Sequence, residues 1–257
     1  KTFDRLNLPG DDPLRRAVRL KIPLSEEGSL MRTTLLGGVL EVLSYNAKRK
    51  IDNLSLFEMA RVYLPAGDEE TLPQEDLHLA GGLMGRIHEK GWNQPARQAD
   101  FYDAKGVIEA LLAELPVKEW RFERGEHPAM HPGRTAFLVV GGKRARVIGE
   151  VHPKVKEAYD LNLPAILFEL DLEVIWGATE KEIIQVKPLP KFPPVLRDIA
   201  LVLPAGIPVG EVMSLIQATA GCILEKVELF DVYSGGAIPK DRRSLAFSLV
   251  FRLPERT

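Results

Sequence analysis

The sequence predicts an α+β protein whose main sheet is largely antiparallel. Three observations carry that expectation. Short strand-like runs outnumber helical ones. The helical runs do not alternate regularly with strands, as a doubly wound parallel sheet would require. The last part of the chain reads strand, helix, strand, turn, strand, the opening β-α-β-β of a ferredoxin-like split βαβ unit. A stretch at 180–194 with four prolines and three lysines precedes that last part and is the natural domain boundary.

The elements follow in order. Residues 1–21 are charged and proline-containing, and read as a linker or the tail of a clipped element. From Ser25, the residues Leu30, Met31, Leu35, Leu36, Val39, Leu40 and Leu43 recur at helical spacing, predicting a helix to about Asn46. Leu54 to Leu64 and Leu77 to Arg86 read as strands joined by a polar, acidic hairpin loop at 65–76. Asp100 to Leu115 is the clearest helix: Val107, Ile108, Leu111, Leu112 and Leu115 make one face, and Pro116 stops it. Short strands follow at 120–123, 136–140, 146–150 and 166–172, with a short helix at 153–159. Beyond the boundary come a strand at 198–203, a helix at 209–220, and strands at 224–233 and 244–253. Alternation in the last strand places Leu245, Phe247, Leu249 and Phe251 under a helix and leaves a face of small residues, Ser244, Ala246, Ser248 and Val250.

Composition excludes several classes. Of 257 residues, 45% are hydrophobic and 27% charged, which suits a folded globular chain. A net charge of -2 excludes a generic polycation, though not a local basic patch. Cys222 is the single cysteine, so neither an intramolecular disulfide nor a multi-cysteine zinc site is available. Ahead of a strand and inside an apolar run, it is expected in the core. No uncharged run reaches the ~18 residues of a membrane helix, and no secretory signal is visible. The first residue is Lys1, and the chain is expected to be a piece of something longer.

Few residues suggest chemistry. His127, His131, Glu150 and His152 offer a metal reading, as in a metalloenzyme. Against it, all three histidines precede proline, where the chain is held extended and turns form. Gly37-Gly38, Gly81-Gly82 and Gly141-Gly142 match no phosphate-binding fingerprint. The first pair suggests close packing within a helix, and the last a hairpin turn. Basic residues cluster at Arg134, Lys143, Arg144 and Arg146, and again at Lys240, Arg242 and Arg243. Each cluster is either a solvated face or a phosphate contact.

Several strings then resemble one family. Ile22-Pro-Leu-Ser-Glu-Glu-Gly-Ser-Leu-Met-Arg-Thr-Thr-Leu-Leu-Gly-Gly-Val-Leu-Glu is similar to a segment of the bacterial phenylalanyl-tRNA synthetase beta subunit. So are Leu56-Phe-Glu-Met-Ala-Arg-Val-Tyr, Asp100-Phe-Tyr-Asp-Ala-Lys-Gly, His131-Pro-Gly-Arg-Thr-Ala and Gly149-Glu-Val-His-Pro. Phe192-Pro-Pro-Val-Leu-Arg-Asp-Ile-Ala-Leu-Val, Leu229-Phe-Asp-Val-Tyr and Lys240-Asp-Arg-Arg-Ser-Leu-Ala-Phe-Ser-Leu resemble its anticodon-binding domain. The matches run in order over nearly the whole chain. Ile22, Gly37 and Ala60 depart from the usual Asn, Pro and Gly.

The resemblance implies a class II synthetase-like domain at 22–180 without an aminoacylation site, a proline-rich linker at 181–194, and an incomplete ferredoxin-fold anticodon-binding domain at 195–257. Arg61 would lie on the motif-2 strand, but no glycine-rich motif-3 arginine follows, so no catalytic residue, ATP site or metal site is assigned here. ATP and Mg2+ would belong to the whole enzyme. The implied partners are the alpha subunit, in an alpha2-beta2 heterotetramer, and tRNA(Phe), in the cytoplasm and away from membranes. Arg197, Asp231, Tyr233, Lys240, Arg242 and Arg243 are the implied tRNA contacts, with Arg197 alternatively pairing Asp198. The family's earlier modules and the last helix and strand of its anticodon domain have no counterpart in the sequence. A different reading is a stand-alone RNA-binding or regulatory module without ligase activity.

Overall fold

Two long hairpins, a return strand and a short edge strand build the first sheet. In the computed structural model, which describes residues 1–25, 28–67, 72–179, 189–236 and 238–253, the chain divides into units Lys1–Glu182 and Ile183–Thr257. In the first unit, helix α1 (Thr2–Arg5) and helix α2 (Leu36–Ala47) precede strands β1 (Leu54–Leu64) and β2 (Gln74–Met84). A small ladder, β3 (Arg86–His88) with β4 (Arg97–Gln98), leads into α3 (Phe101–Glu114). Then come β5 (Trp120–Arg124), β6 (Met130–Val140), β7 (Lys143–Val151), α4 (Pro153–Ala158), β8 (Ala165–Asp171) and α5 (Leu172–Gly177). Six strands form one antiparallel sheet in the order β1-β2-β8-β7-β6-β5.

The central strands are buried on both faces, so the sheet is the middle layer of a sandwich. One core joins Val39, Leu40 and Leu43 of α2 to Ala80, Val147 and Leu167. The other joins Ile108 and Leu112 of α3 and Ile175 of α5 to Ile148, Phe168 and Leu170. Close approach explains the glycine pair in β2. A Cβ on Gly81 would sit 2.4 Å from the Phe168 ring, and one on Gly82 2.9 Å from Val39. Helix α3 starts where Asp100 accepts from the Tyr102 and Asp103 amides and Asp103 returns a bond to the Asp100 amide, a reciprocal cap. At the β6–β7 turn, Gly141 and Gly142 both have positive φ, 55° and 76°, as a tight two-residue hairpin requires.

Three expectations change here. Residues 1–21 are not a detached linker. Leu6 and Leu8 are buried in the α2-side core, Asn7 Nδ2 donates to the Pro128 carbonyl at 3.0 Å, and a Cβ on Gly37 would lie 2.8 Å from Thr2. The segment's high charge hid a short apolar set, Phe3, Leu6 and Leu8. Helix α2 begins at Leu36, not near Ser25. Before it, 29–31 pair with 18–20, with Leu20 N bonded to Ser29 O and Met31 N to Val18 O, so these residues are committed to extended pairing. Cys222 is exposed, because it lies in the turn after the second unit's helix rather than in the following strand.

The second unit comprises β9 (Val195–Pro204), α6 (Val209–Ala220), β10 (Leu224–Tyr233) and β11 (Arg242–Phe251). Strand β11 lies between the other two, all antiparallel to it, in the order β10-β11-β9. This is the strand arrangement of the expected β-α-β-β. Leu245, Phe247 and Leu249 of β11 are buried with Val212 of α6 and Val227 of β10, as the alternation predicts. Among the described residues, no helix is long and apolar enough to cross a membrane.

Candidate functional site

Register sorts the second unit's side chains between two faces. Residues directly paired across an antiparallel ladder share a face. Glu228, Ser248 and Asp198 form one such row, and Asp231, Ala246 and Ala200 the next. Tyr233, Ser244 and Val202 form a third. All lie opposite the face that packs on α6. A bulge between Leu229 and Asp231 turns Phe230 outward, 59% exposed, where it lines a shallow depression with Asp198, Glu228 and Ser248. The open face therefore carries two accessible rings, Phe230 and Tyr233 (51% exposed), although β11 itself offers only small residues. Periodicity could not reveal Phe230, because the bulge breaks the period on which the reading rests.

The six implied RNA contacts do not converge as one set. Asp231 and Tyr233 reach the end of the open face where Arg242 pairs with Pro204, and Lys240 is exposed in the adjoining connection. Arg243 pairs with Leu203 on the helix side, and its Nη2 donates to the Ile207 carbonyl at 2.6 Å. Arg197 pairs with Leu249, also on the helix side, and lies toward the opposite end of β9 from Pro204. Seven residues at ~3.3 Å each separate those positions by roughly 23 Å. Its Nη1 donates to the neighbouring Leu196 carbonyl at 2.9 Å. Charge is mixed along the open face: Glu228, in a row with Asp198, is paired with Lys226 at 2.8 Å, while Lys240 and Arg242 lie toward the other end with Asp231. The Lys240 and Arg242 end is the one that attracts a phosphate backbone.

In the first unit the histidine expectations resolve into turns. Nδ1 of His127 accepts from Ala129 N at 3.2 Å, Nδ1 of His131 from Gly133 N at 3.1 Å, and Nδ1 of His152 from Lys154 N at 3.1 Å. Burial holds the His127 imidazole below its ordinary value, which suits an uncharged acceptor. Each ring thus closes a His-Pro turn, and His127, His131, Glu150 and His152 do not form a ligand group. The neighbouring basic residues are also engaged: Arg134 pairs with Glu150, and Arg144 lies 3.9 Å over the Phe137 ring.

A different polar cluster, which no spacing announced, sits between α2 and the sheet. Glu169 of β8 is buried and accepts from His78 Nδ1 at 2.6 Å, from Leu35 N at 3.2 Å and from the Thr34 hydroxyl. Burial pushes its carboxyl up, but the His78 hydrogen bond, the Arg146 charge and the Thr34 hydroxyl outweigh that and hold it below the ordinary value. Directly across the β2–β8 ladder from His78 stands Asp171, and Asp76 is two residues from His78 on the same face of β2.

Comparison with known proteins places this chain. A family model described as the phenylalanyl tRNA synthetase beta chain CLM domain matches residues 1–172, and one described as a ferredoxin-fold anticodon binding domain matches residues 190–257. The chain belongs to the phenylalanyl-tRNA synthetase beta chain family. It is 43% identical over 257 residues to the phenylalanine–tRNA ligase beta subunit of Symbiobacterium thermophilum, covering all of this chain and 29% of that subunit. The Moorella thermoacetica subunit is 42% identical over 258 residues, with 32% of its length covered, and that of Clostridium tetani 41% over 258 residues, with 31% covered. The chain thus spans about a third of the length of these beta subunits. Its β9-α6-β10-β11 unit is the part matched as the anticodon-binding domain.

Proposed function

We propose that this chain is the non-catalytic C-terminal portion of a phenylalanine–tRNA ligase beta subunit, acting in assembly with the alpha subunit and in recognition of the tRNA(Phe) anticodon. The observation that carries this reading is that the two family matches fall successively along one chain, in the order of the two units. The first unit is read as a class II synthetase-like module within a cytoplasmic alpha2-beta2 heterotetramer. Arg61 donates to the Glu75 carbonyl at 3.1 Å, and the sheet's central strands are packed on both faces by the unit's own side chains. ATP and Mg2+ are read as belonging to the alpha subunit of the whole enzyme.

For the second unit, an RNA loop presents phosphates and splayed bases, which call for cations beside accessible rings. Lys240 and Arg242 supply the cations, and Tyr233 and Phe230 the rings. Asp231 is the group able to accept from a base edge. Arg243 acts as a strut to Ile207, and Arg197 lies outside this end of the face. The test is tRNA binding by the assembled ligase at two salt concentrations, comparing tRNA(Phe) with an anticodon-swapped version. Lys240→Ala with Arg242→Ala should weaken binding and lower the salt slope by up to ~2 units. An unchanged slope together with unchanged discrimination would overturn the assignment.

A further inference from the structure

We propose that Asp76, His78 and Asp171 form a binding site for one divalent transition cation, Zn2+ or Mn2+, that ties β2 to β8. The argument begins with the direction of the His78 ring. Its Nδ1 lies 2.6 Å from Glu169 Oε1, and Glu169 accepts two further hydrogen bonds. Both Glu169 oxygens already accept, Oε1 from Leu35 N and Oε2 from the Thr34 hydroxyl, so the carboxyl faces Nδ1 as an acceptor and Nδ1 carries the hydrogen. The other nitrogen, Nε2, then points away from Glu169. It is buried, on a side chain with 0% exposure, and has no hydrogen-bond partner. Its neighbour Asp171 Oδ2 is 4.0 Å away, beyond hydrogen-bonding distance.

A buried imidazole nitrogen that faces carboxylates without a hydrogen-bond partner calls for positive charge between them. The geometry supplies a place for it. One donor atom from each of Asp76, His78 and Asp171 lies within 4.8 Å of the others. For three atoms so spaced, some point lies within about 2.8 Å of all of them, and metal–N and metal–O bonds of ~2.0–2.2 Å need each to move inward by well under 1 Å. Small torsional changes suffice. The Glu169–His78 pair already has the form of a carboxylate orienting a metal-bound imidazole by its second nitrogen.

The remaining contacts are compatible. Asp171 Oδ1 accepts from Val174 N at 3.1 Å and caps α5, while Oδ2 faces His78. Asp76 accepts from Gln74 Nε2 at 2.8 and 3.0 Å and keeps further lone pairs. A route for exchange exists, because Asp171, with a side chain 20% exposed, lines a cleft with Gln74, Lys143 and Glu173. One imidazole and two carboxylates suit Zn2+ or Mn2+, with water completing the sphere. The bound ion is structural. Through Glu169 it also steadies the Thr34–Leu35 start of α2.

The test is calorimetric titration of the chelator-treated chain with Zn2+, Mn2+ and Mg2+, with bound metal counted by mass spectrometry. One equivalent of Zn2+ or Mn2+ is expected, with a rise in Tm and little response to Mg2+. Asp171→Asn keeps an oxygen for the Val174 cap and should weaken binding by at least about tenfold. Asp76→Asn should do the same. If either variant fails to fold, Mn2+ spin resonance of the unaltered chain decides, since ligation by His78 produces a nitrogen coupling. No stoichiometric metal, undiminished binding in both folded variants, or Mn2+ without nitrogen coupling would each overturn the proposal.

Discussion

Replacing Glu169 by alanine should cost the first unit more than any other single polar change. Three buried donors converge on this carboxylate: the Thr34 hydroxyl, Leu35 N and His78 Nδ1. Stranding a buried donor costs roughly 1–3 kcal/mol. The Thr34 hydroxyl can turn to another acceptor, so the two remaining donors sum to about 2–6 kcal/mol, a large part of the ~5–15 kcal/mol of a typical domain. Glu169→Gln keeps the shape and one acceptor, and should cost about 1–2 kcal/mol. Urea unfolding followed by tryptophan fluorescence, with chelator present, isolates the effect, because all three tryptophans, Trp92, Trp120 and Trp176, lie in the first unit. At ~2 kcal/mol per M, Glu169→Ala should move the midpoint by about 1–3 M. The pH dependence has a definite sign. A carboxyl held below its ordinary value contributes stability above about pH 4.3, and loses it as pH falls through the folded-state value. Glu169→Gln should therefore flatten the acid limb of the wild-type profile. A Glu169→Ala midpoint within 0.5 M of wild type (about 1 kcal/mol), or an acid limb unchanged in Glu169→Gln, would refute the reasoning.

Two other substitutions test how the first unit is packed. Leu6→Ala removes a side chain only 1% exposed and should cost about 2–4 kcal/mol in the same unfolding assay. A neutral result would return residues 1–21 to the status of a linker. Gly81→Ala forces a methyl group against the Phe168 ring and should cost about 1–3 kcal/mol, with partial recovery when Phe168→Leu is added. Absence of both the loss and the recovery would show that β2 and β8 adjust freely there.

Several features were legible because they are local. The helix at Phe101–Glu114 is marked by its Asp100 cap, its apolar face and Pro116, all within one stretch of chain. The Gly141-Gly142 turn and the His-Pro turns rest on backbone preferences of the residues themselves. Alternation in β11 predicted which side chains pack on α6, because a strand has only two faces. Where local signals were silent or in conflict, the reading failed. Helical spacing from Leu30 onward was overridden by pairing of 18–20 with 29–31. Phe230 escaped notice because a bulge shifted it out of register. Arg197 and Arg243 share residue type with Arg242, yet register alone puts them on the other face.

Sequence by itself determined the α+β class, the antiparallel sheet, the β-α-β-β ending and the family, since periodicity, turn chemistry and motif order are written along the chain. Tertiary structure alone decided what meets across it. His78 and Glu169 are 91 positions apart, and Thr34 and Glu169 135. No spacing rule links residues so distant. They meet because β2 and β8 are neighbours in the sheet and α2 begins above them, and burial then makes each unpaired polar atom costly enough to demand a partner.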